Sequence, residues 1–544
     1  MTARDHGPLS DHGLNGKRVL AVPPLGHKDL GKYLVAMLAA GKQRFDWSVS
    51  VLAPTVDTRP FKALAGADGE VVLPPHFLRE AEWERDPKSV AEVERRIREA
   101  ETRTGFPVGR VILAAGHSIG RAYSLPFQHF NRYPMIQRVL KDNEEPLRIA
   151  RRFFRFADDL LDRTKPDFVF FFHWLIPLNM LVWLAAHRRG IPCIALRPSK
   201  LRSDHAYWTS DPFLLNVDAF ERARLKRRTN APVSEAAQQK IRTFRDQPSM
   251  IKYIASKWSN RMNLGFVRWH MQYARIVLSQ IPDRFRGQDM SAREGELARF
   301  LRYYRTLFLT YYHQHAFATL DENTLAATKY IYFPMHKEAE FAQTFQATTW
   351  HDQRNTIRIL ASMLPFGYRL LVREHRMNFG RRRTRSYREL AQLPNVTLID
   401  PFDSQFKYLR NADLVVTENG SSGWEGLLLA RRTLILAENT FYQGAGQGAV
   451  VTDPDQLNAT ILDLLSRPAV VDMDGHDHAL ASMIDAEFET TFLMNPTGIP
   501  SCLDMLESRF AILAARSRGR RPVADSDADV PRLDDPALLR LRSA

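Results

Sequence analysis

"YIYFPMHKEAE", Tyr330–Glu340, is an apolar run that stops at a proline and passes into a histidine and two carboxylates. Residues 329–333 read as a buried strand. His336, Glu338 and Glu340 then stand just beyond its carboxyl end. The segments that follow repeat this form. Short apolar runs at 368–373 (YRLLVR), 396–399 (VTLI), 413–416 and 433–436 alternate with helical periodicity at 351–364, 385–392, 404–411, 421–430 and 455–466. Five short strands separated by helices predict a parallel, doubly wound sheet.

The first half alternates in the same way. Strands are expected at 17–22, 47–54, 70–75, 168–172 and 191–196. Helices are expected at 88–103, 146–166 and 175–188, the second apolar at Ile149, Phe153, Phe156, Leu160 and Leu161. The fold class is therefore α/β, with two Rossmann-like domains facing a cleft at the carboxyl ends of their strands. Residues 216–320 are rich in arginine and aromatics without a strand signal, and read as a helical insertion. The domain reading is 1–215 (acceptor side), 216–320 (helical insertion), 321–470 (nucleotide-sugar side), 471–515 (terminal helices) and 516–544 (a disordered tail of low apolar content).

A chain of 544 residues exceeds one hydrophobic core. Cys193 and Cys502 are its only cysteines, which excludes a disulfide framework and a cysteine-built zinc site and suits a reducing cytosol. The N-terminus carries no apolar core before residue 19, so no secretory signal is expected. Phe168–Ala186 is long enough to span a membrane, but His173, Pro177 and Asn179 interrupt it, and it reads as strand, turn and helix. There are 76 basic against 61 acidic residues, a net charge of +15, which favours anionic partners. Nucleic acid is not expected among them, because no helix-turn-helix, zinc or RNA-binding signature accompanies the charge. No metal and no cofactor are expected, since no HExxH-like or multi-histidine spacing occurs.

Ligands of open α/β sheets bind outside the carboxyl ends of the strands. Three polar termini of the second half should share that edge. They are His336 and Glu340 after the first strand, Glu374, His375 and Arg376 after the second, and "TENGSSGWEGLLLA", Thr417–Ala430, after the fourth. In the last, Asn419 and Gly420 permit a tight turn, and Ser421 or Ser422 is expected to cap the following helix. Backbone N–H groups and the helix dipole then make an anion site. Glu425 lies one turn inside. Arginines suit a phosphate with their forked donors. Glu340, Glu374 and Glu418, with Glu425, are the candidate bases, and the sequence does not rank them. In the first half, Gly26 and His27 follow one strand and Arg197 and Ser199 another, on the expected acceptor side.

In order and spacing, "YFPMHKEAE", "REHR", "TENGSSGWEGLL" and "FYQ" (Phe441–Gln443) resemble the capsule polysaccharide biosynthesis family, the Kps-type proteins that include retaining β-Kdo transferases. The likeness covers about residues 325–445. Glu338 and Ala339 stand where that family has Gln-Pro, and Arg376 where it has proline after the histidine. The resemblance implies a GT-B fold and a CMP-activated acidic sugar as donor. It makes His375 similar to the histidine that meets the nucleotide phosphate, and Ser421 and Ser422 to phosphate-binding serines. His336, Arg376, Asn419, Gly420 and Glu425 join them as the donor side. The implied acceptor is lipid-linked or an oligosaccharide. The implied place is the cytoplasm, with peripheral contact to the anionic inner membrane and the polysaccharide assembly complex through Arg299, Arg302, Arg305 and the "RLKRR" run, Arg224–Arg228. A GT-B enzyme using a UDP- or GDP-sugar, and a catalytically silent polysaccharide-binding scaffold, are the alternatives.

Overall fold

The computed structural model describes residues 13–22, 28–52, 59–73, 80–114, 145–171, 177–198, 206–210, 217–248, 316–337, 346–376, 384–437, 448–488 and 496–518, with a few single residues besides. The expected tail lies outside this set from residue 519, as do Gly26, His27, Ser199, Arg299, Arg302, Arg305 and Glu340.

Six strands form the first sheet: β1 (Arg18–Val22), β2 (Ser48–Leu52), β3 (Val71–Val72), β4 (Phe168–Phe171), β5 (Cys193–Pro198) and β6 (Ala206–Thr209), in the order β3-β2-β1-β4-β5-β6. All pair in parallel except β6, which runs antiparallel to β5. The second sheet has seven: β7 (Phe317–Ala318), β8 (Tyr330–Pro334), β9 (Arg369–Arg373), β10 (Val396–Ile399), β11 (Leu414–Thr417), β12 (Thr433–Ile435) and β13 (Ala449–Val450), in the order β13-β12-β11-β8-β9-β10-β7. Every pairing in it is parallel. Two Rossmann-like α/β units are thus present.

Parallel strands with helices on both faces must be apolar throughout rather than alternating. Hence β4, β8 and β11 are buried at every position. The apolar stretch 168–186 is accordingly the central strand β4 and the helix Pro177–Arg188, and among the described residues no helix is long and apolar enough to cross a membrane. Three strands were not foreseen. β7 and β13 have two residues each, too few to leave a period. β6 is short and falls where no element is expected, yet it buries Tyr207 and Trp208 against β5.

Two long-range returns complete the cores. Helices Val217–Thr229 and Glu235–Asp246 pack against Met473–Phe488, and Ala223, Ala237 and Ile241 join the core of the second sheet. Asp485 accepts from Ser234 N at 2.8 Å, and Arg245 meets both oxygens of Asp477 at 2.7 and 2.5 Å. The last helix, Ile499–Arg518, instead lies on the first sheet. Leu503, Leu506, Phe510 and Leu513 pack with Val19 and Phe168, Trp208 Nε1 donates to Cys502 O at 3.2 Å, and Ser517 Oγ accepts from Cys193 N at 2.7 Å. The chain therefore passes from the first unit to the second and back. Arg110, on helix Val108–Ala114, also hydrogen-bonds Thr348 beyond β8.

Phe510 meets Phe168 edge-on, with ring centroids 5.2 Å apart, and is buried. Phe510→Ala is expected to cost about 3 kcal/mol, read as a lower urea midpoint for the first unit. Glu507→Ala removes only an exposed ion pair with Arg44 and should cost less than about 1 kcal/mol. Equal midpoints for the two variants would contradict this packing.

Candidate functional site

In the second sheet the chain leaves β8 toward β9 and β10 on one side, then crosses to β11 and β12 on the other. The strand order reverses between β8 and β11, and in open α/β sheets the carboxyl ends at such a reversal are where ligands bind. The segments leaving these two strands touch at that point. Asn419 N–H donates to His336 Nε2 at 3.2 Å, and Thr417 Oγ1 lies 3.4 Å from the same nitrogen. Accepting at Nε2 places the ring proton on Nδ1, so His336 is a neutral imidazole here. Gln353, fully buried, clamps the histidine's main chain: its Oε1 accepts from His336 N at 2.5 Å and its Nε2 donates to His336 O at 3.1 Å.

The turn after β11 is shaped by close approach. Gly420 N–H donates to Thr417 Oγ1 at 3.0 Å, and Tyr442 OH donates to Gly420 O at 2.9 Å. A Cβ on Gly420 would sit 3.0 Å from His336 Cε1, and one on Gly423 would sit 2.2 Å from the Tyr442 hydroxyl oxygen. Asn419 Nδ2 donates to Gln346, and both residues are buried. The serines do not cap the helix as expected. Gly420 holds the N-cap position without a side-chain cap, because the histidine ring leaves no easy room for a larger residue. Ser421 and Ser422 are instead the first two residues of helix Ser421–Leu428. Their N–H groups precede the first helical acceptor pairing, that of Gly423 N with Gly420 O at 3.2 Å. Such N–H groups point out of the helix end and carry its positive dipole. No acidic side chain occupies the first turn.

Behind the turn lies Glu425, 5% exposed. Its carboxyl accepts from Gln405 Nε2 at 3.0 Å. Burial raises its pKa to about 7, against the opposing pull of the nearby Arg373 guanidinium and of the Ser421 and Gln405 side chains. Arg373, also buried, donates to Pro401 O at 2.7 Å and Asp403 O at 2.9 Å. Tyr332, deep in β8, is pushed up to about 12 by burial.

The residues after β9 are engaged elsewhere. Glu374, 1% exposed, accepts from His375 N at 2.7 Å and from Tyr387 OH at 2.8 Å, facing helix Thr384–Ala391. Arg376 folds onto carbonyls of the segment after β10, with Nε 2.9 Å from Pro401 O. His375 is half-buried beside them, and Glu418 is fully buried on the β11 turn. Thus His336, Asn419, Gly420, Ser421, Ser422 and Glu425 come together, while Glu374 and Arg376 have partners of their own. Arg197 lies in the other sheet, on β5 opposite Tyr207, and burial lowers its pKa. Thr417, Gln353, Arg373, Gln405 and Tyr442 were not singled out from the sequence. Thr417, Arg373 and Tyr442 sit within the motifs given above; Gln353 and Gln405 carry no local signal.

No family model matches the chain, and no curated protein matches it. Among solved structures it is similar to KpsC of Thermosulfurimonas dismutans, a beta Kdo 2,7 transferase, at 11% identity and a TM-score of 0.31, over 65% of this chain and 83% of that one. It is similar to the UDP-GlcNAc 2-epimerase of Neisseria meningitidis bound to UDP-GlcNAc (14% identity, TM-score 0.25, 87% of this chain, 99% of that one). It is also similar to the spinosyn rhamnosyltransferase SpnG (12%, 0.27, 90% and 99%). Likenesses of this size carry no argument about chemistry, and the two-sheet architecture rests on the strand order itself.

Glu425 gives the site a pH signature in stability. Its folded pKa of about 7 exceeds the ordinary 4.5, so between these values the folded protein holds a proton that the unfolded chain releases. That contribution is complete below pH 4.5 and is lost as pH rises toward 7. Glu425→Gln should therefore gain on the parent in denaturant midpoint from pH 5 to pH 8. A constant difference between the two would contradict the assignment.

Proposed function

We propose that the protein is a glycosyltransferase whose nucleotide-sugar donor binds at the carboxyl edge of the second sheet. The observation that supports this best is the junction of His336 with the Asn419–Gly420 turn at the strand-order reversal. It leaves the Ser421 and Ser422 N–H groups at the open end of a helix, the arrangement that receives a phosphate. In glycosyl transfer from such a donor the acceptor hydroxyl oxygen bonds to the anomeric carbon and loses its proton to a base, the bond from that carbon to the phosphate oxygen breaks, and the nucleotide departs with the added negative charge. Fixed N–H groups and a neutral imidazole can stabilise that charge as it forms.

At finer grain, the proposed donor is a CMP-activated, Kdo-like acidic sugar, the acceptor is lipid-linked or an oligosaccharide, and the product is a surface polysaccharide. The sequence resemblance supports this detail. The first unit, residues 1–215, takes the acceptor side. Of the proposed bases, Glu418 lies on the turn, Glu374 is turned into the helix behind β9, and Glu340 lies outside the described residues. Contact with an anionic membrane surface is supported by the exposed Arg224 and Arg228 beside Leu225, which is 62% exposed. One observation favours the silent-scaffold alternative: Glu374 and Arg376 are held by internal hydrogen bonds.

Calorimetry with CMP, UDP and GDP should show binding of one nucleotide, CMP on the finer reading. Ser421→Ala with Ser422→Ala should weaken that binding roughly tenfold or more, the loss of hydrogen bonds to a charged group. Mass spectrometry after incubation with sugar nucleotides and lipid-linked acceptors should show a glycosylated product. Nucleotide binding without product would favour the scaffold; no nucleotide binding, or an unaffected double variant, would refute the site.

A further inference from the structure

Phe366 is the most exposed large apolar side chain among the described residues, at 107%. It stands at the tip of the turn that joins helix Gln353–Ser362 to β9, where Tyr368 N–H donates to Pro365 O at 3.1 Å. Gly367 follows it at φ +87°, the left-handed position that a type II turn requires, so backbone geometry fixes the tip. A Cβ built on Gly367 would meet nothing within 4 Å. The ring thus projects into open space, and the core does not depend on it. The ground behind the tip is amphipathic. Met363, Leu364 and Tyr368 pack against the core of the second sheet with part of their surface exposed. Lys329, just before β8, and Arg369, the first residue of β9, are both exposed and have no carboxylate partner among the described residues. Arg369 N–H donates to Lys329 O at 3.0 Å, and Lys329 Nζ lies 6.0 Å from the Tyr368 ring centroid.

The strands of this sheet are parallel, so these residues share its amino edge, opposite the carboxyl edge proposed for the donor. Further along that edge, Arg432 and Arg410 spend their hydrogen bonds on carbonyl oxygens, of Asp413 and Arg467 and of Arg245 and Asp246, which leaves their charge uncancelled. The Asp413 carboxylate stands among them and accepts from Tyr330 N at 2.9 Å. Beyond Arg467 the chain turns acidic at Asp472 and Asp474, which bounds the cationic part. We propose that the amino edge of the second sheet docks on an anionic lipid bilayer, with Phe366 inserted among the acyl chains and Lys329 and Arg369 at the headgroup phosphates. This rests on the reading that the chain contacts an anionic membrane, names the face that does so, and is independent of the donor site. A bilayer receives any projecting ring, whereas a protein partner would need a pocket shaped to it. Cations set just behind the tip stand at headgroup level once the tip is buried, so apolar burial and electrostatic attraction act together. Tyr368, apolar in its ring and polar at its hydroxyl, suits the boundary between the two.

Co-sedimentation of the full chain with vesicles tests this. The chain should pellet with vesicles of phosphatidylcholine and phosphatidylglycerol, far less with phosphatidylcholine alone, and high salt should release it. Phe366→Ser should weaken binding roughly tenfold, the loss of one aromatic side chain from the acyl region. Lys329→Gln with Arg369→Gln should weaken it by roughly the same factor, and Phe366→Trp should keep the parent's binding. All are changes of exposed side chains that leave the fold intact. Edge variants that pellet like the parent overturn the proposal; if Arg224→Gln with Arg228→Gln then abolishes pelleting, membrane contact stands through that other basic run. A parent that does not pellet with the anionic vesicles overturns both. A parent dimer that Phe366→Ser makes monomeric in sedimentation velocity, without vesicle binding, assigns the edge to a second copy of the chain and overturns the proposal.

Discussion

The second unit is organised around one hydrogen bond, from Asn419 N–H to the ring of His336. It ties the segment leaving β8 to the segment leaving β11, the two strands between which the sheet reverses its order. Its consequences spread outward. The ring's proximity leaves little room for a side chain at Gly420. Gly420 in turn fixes where helix Ser421–Leu428 starts, and Tyr442 holds the Gly420 carbonyl from the other side. Gln353 fixes the histidine from behind. A helix end is positioned in this way with no side-chain cap of its own.

Charge under that helix end is distributed unevenly. Arg373 and Glu425 occupy one face of the sheet with Tyr332, while Glu374 falls on the other face with Tyr387. Successive residues leaving a strand alternate between faces, which separates two neighbouring ionisable groups into different surroundings. A buried carboxyl without a full ion pair is costly in its charged form. Glu425 therefore sits close to neutrality, whereas a surface carboxylate would stay charged throughout the physiological range.

The sheets were legible because parallel strands buried on both faces leave unbroken apolar runs, as in FVFF of β4 and YIYFP of β8. Two-residue strands offer little: β3 shows through the VVL run around it, whereas β7 and β13 leave none. The destination of helix Ile499–Arg518 was equally hidden, since an amphipathic helix fits either sheet and its partners, Phe168, Trp208 and Cys193 among them, lie some three hundred residues upstream. At the site, His336 and the Asn419–Ser422 turn could be read from their positions after strands. Gln353 and Gln405 act across segments distant in the chain, and no local pattern announces them; Arg373 opens the REHR run, but only the fold sets it beside Glu425. The serine cap was misread because the obstacle to it, the His336 ring, comes from more than eighty residues upstream.

The central claim is that the β8–β11 junction receives the phosphate of a nucleotide. A crystal structure of the full chain with the nucleotide that binds it tests this most directly. The phosphate oxygens should lie about 3 Å from the Ser421 and Ser422 N–H groups, with the His336 ring alongside. A nucleotide seated on the first sheet, or elsewhere with this turn empty, would contradict it.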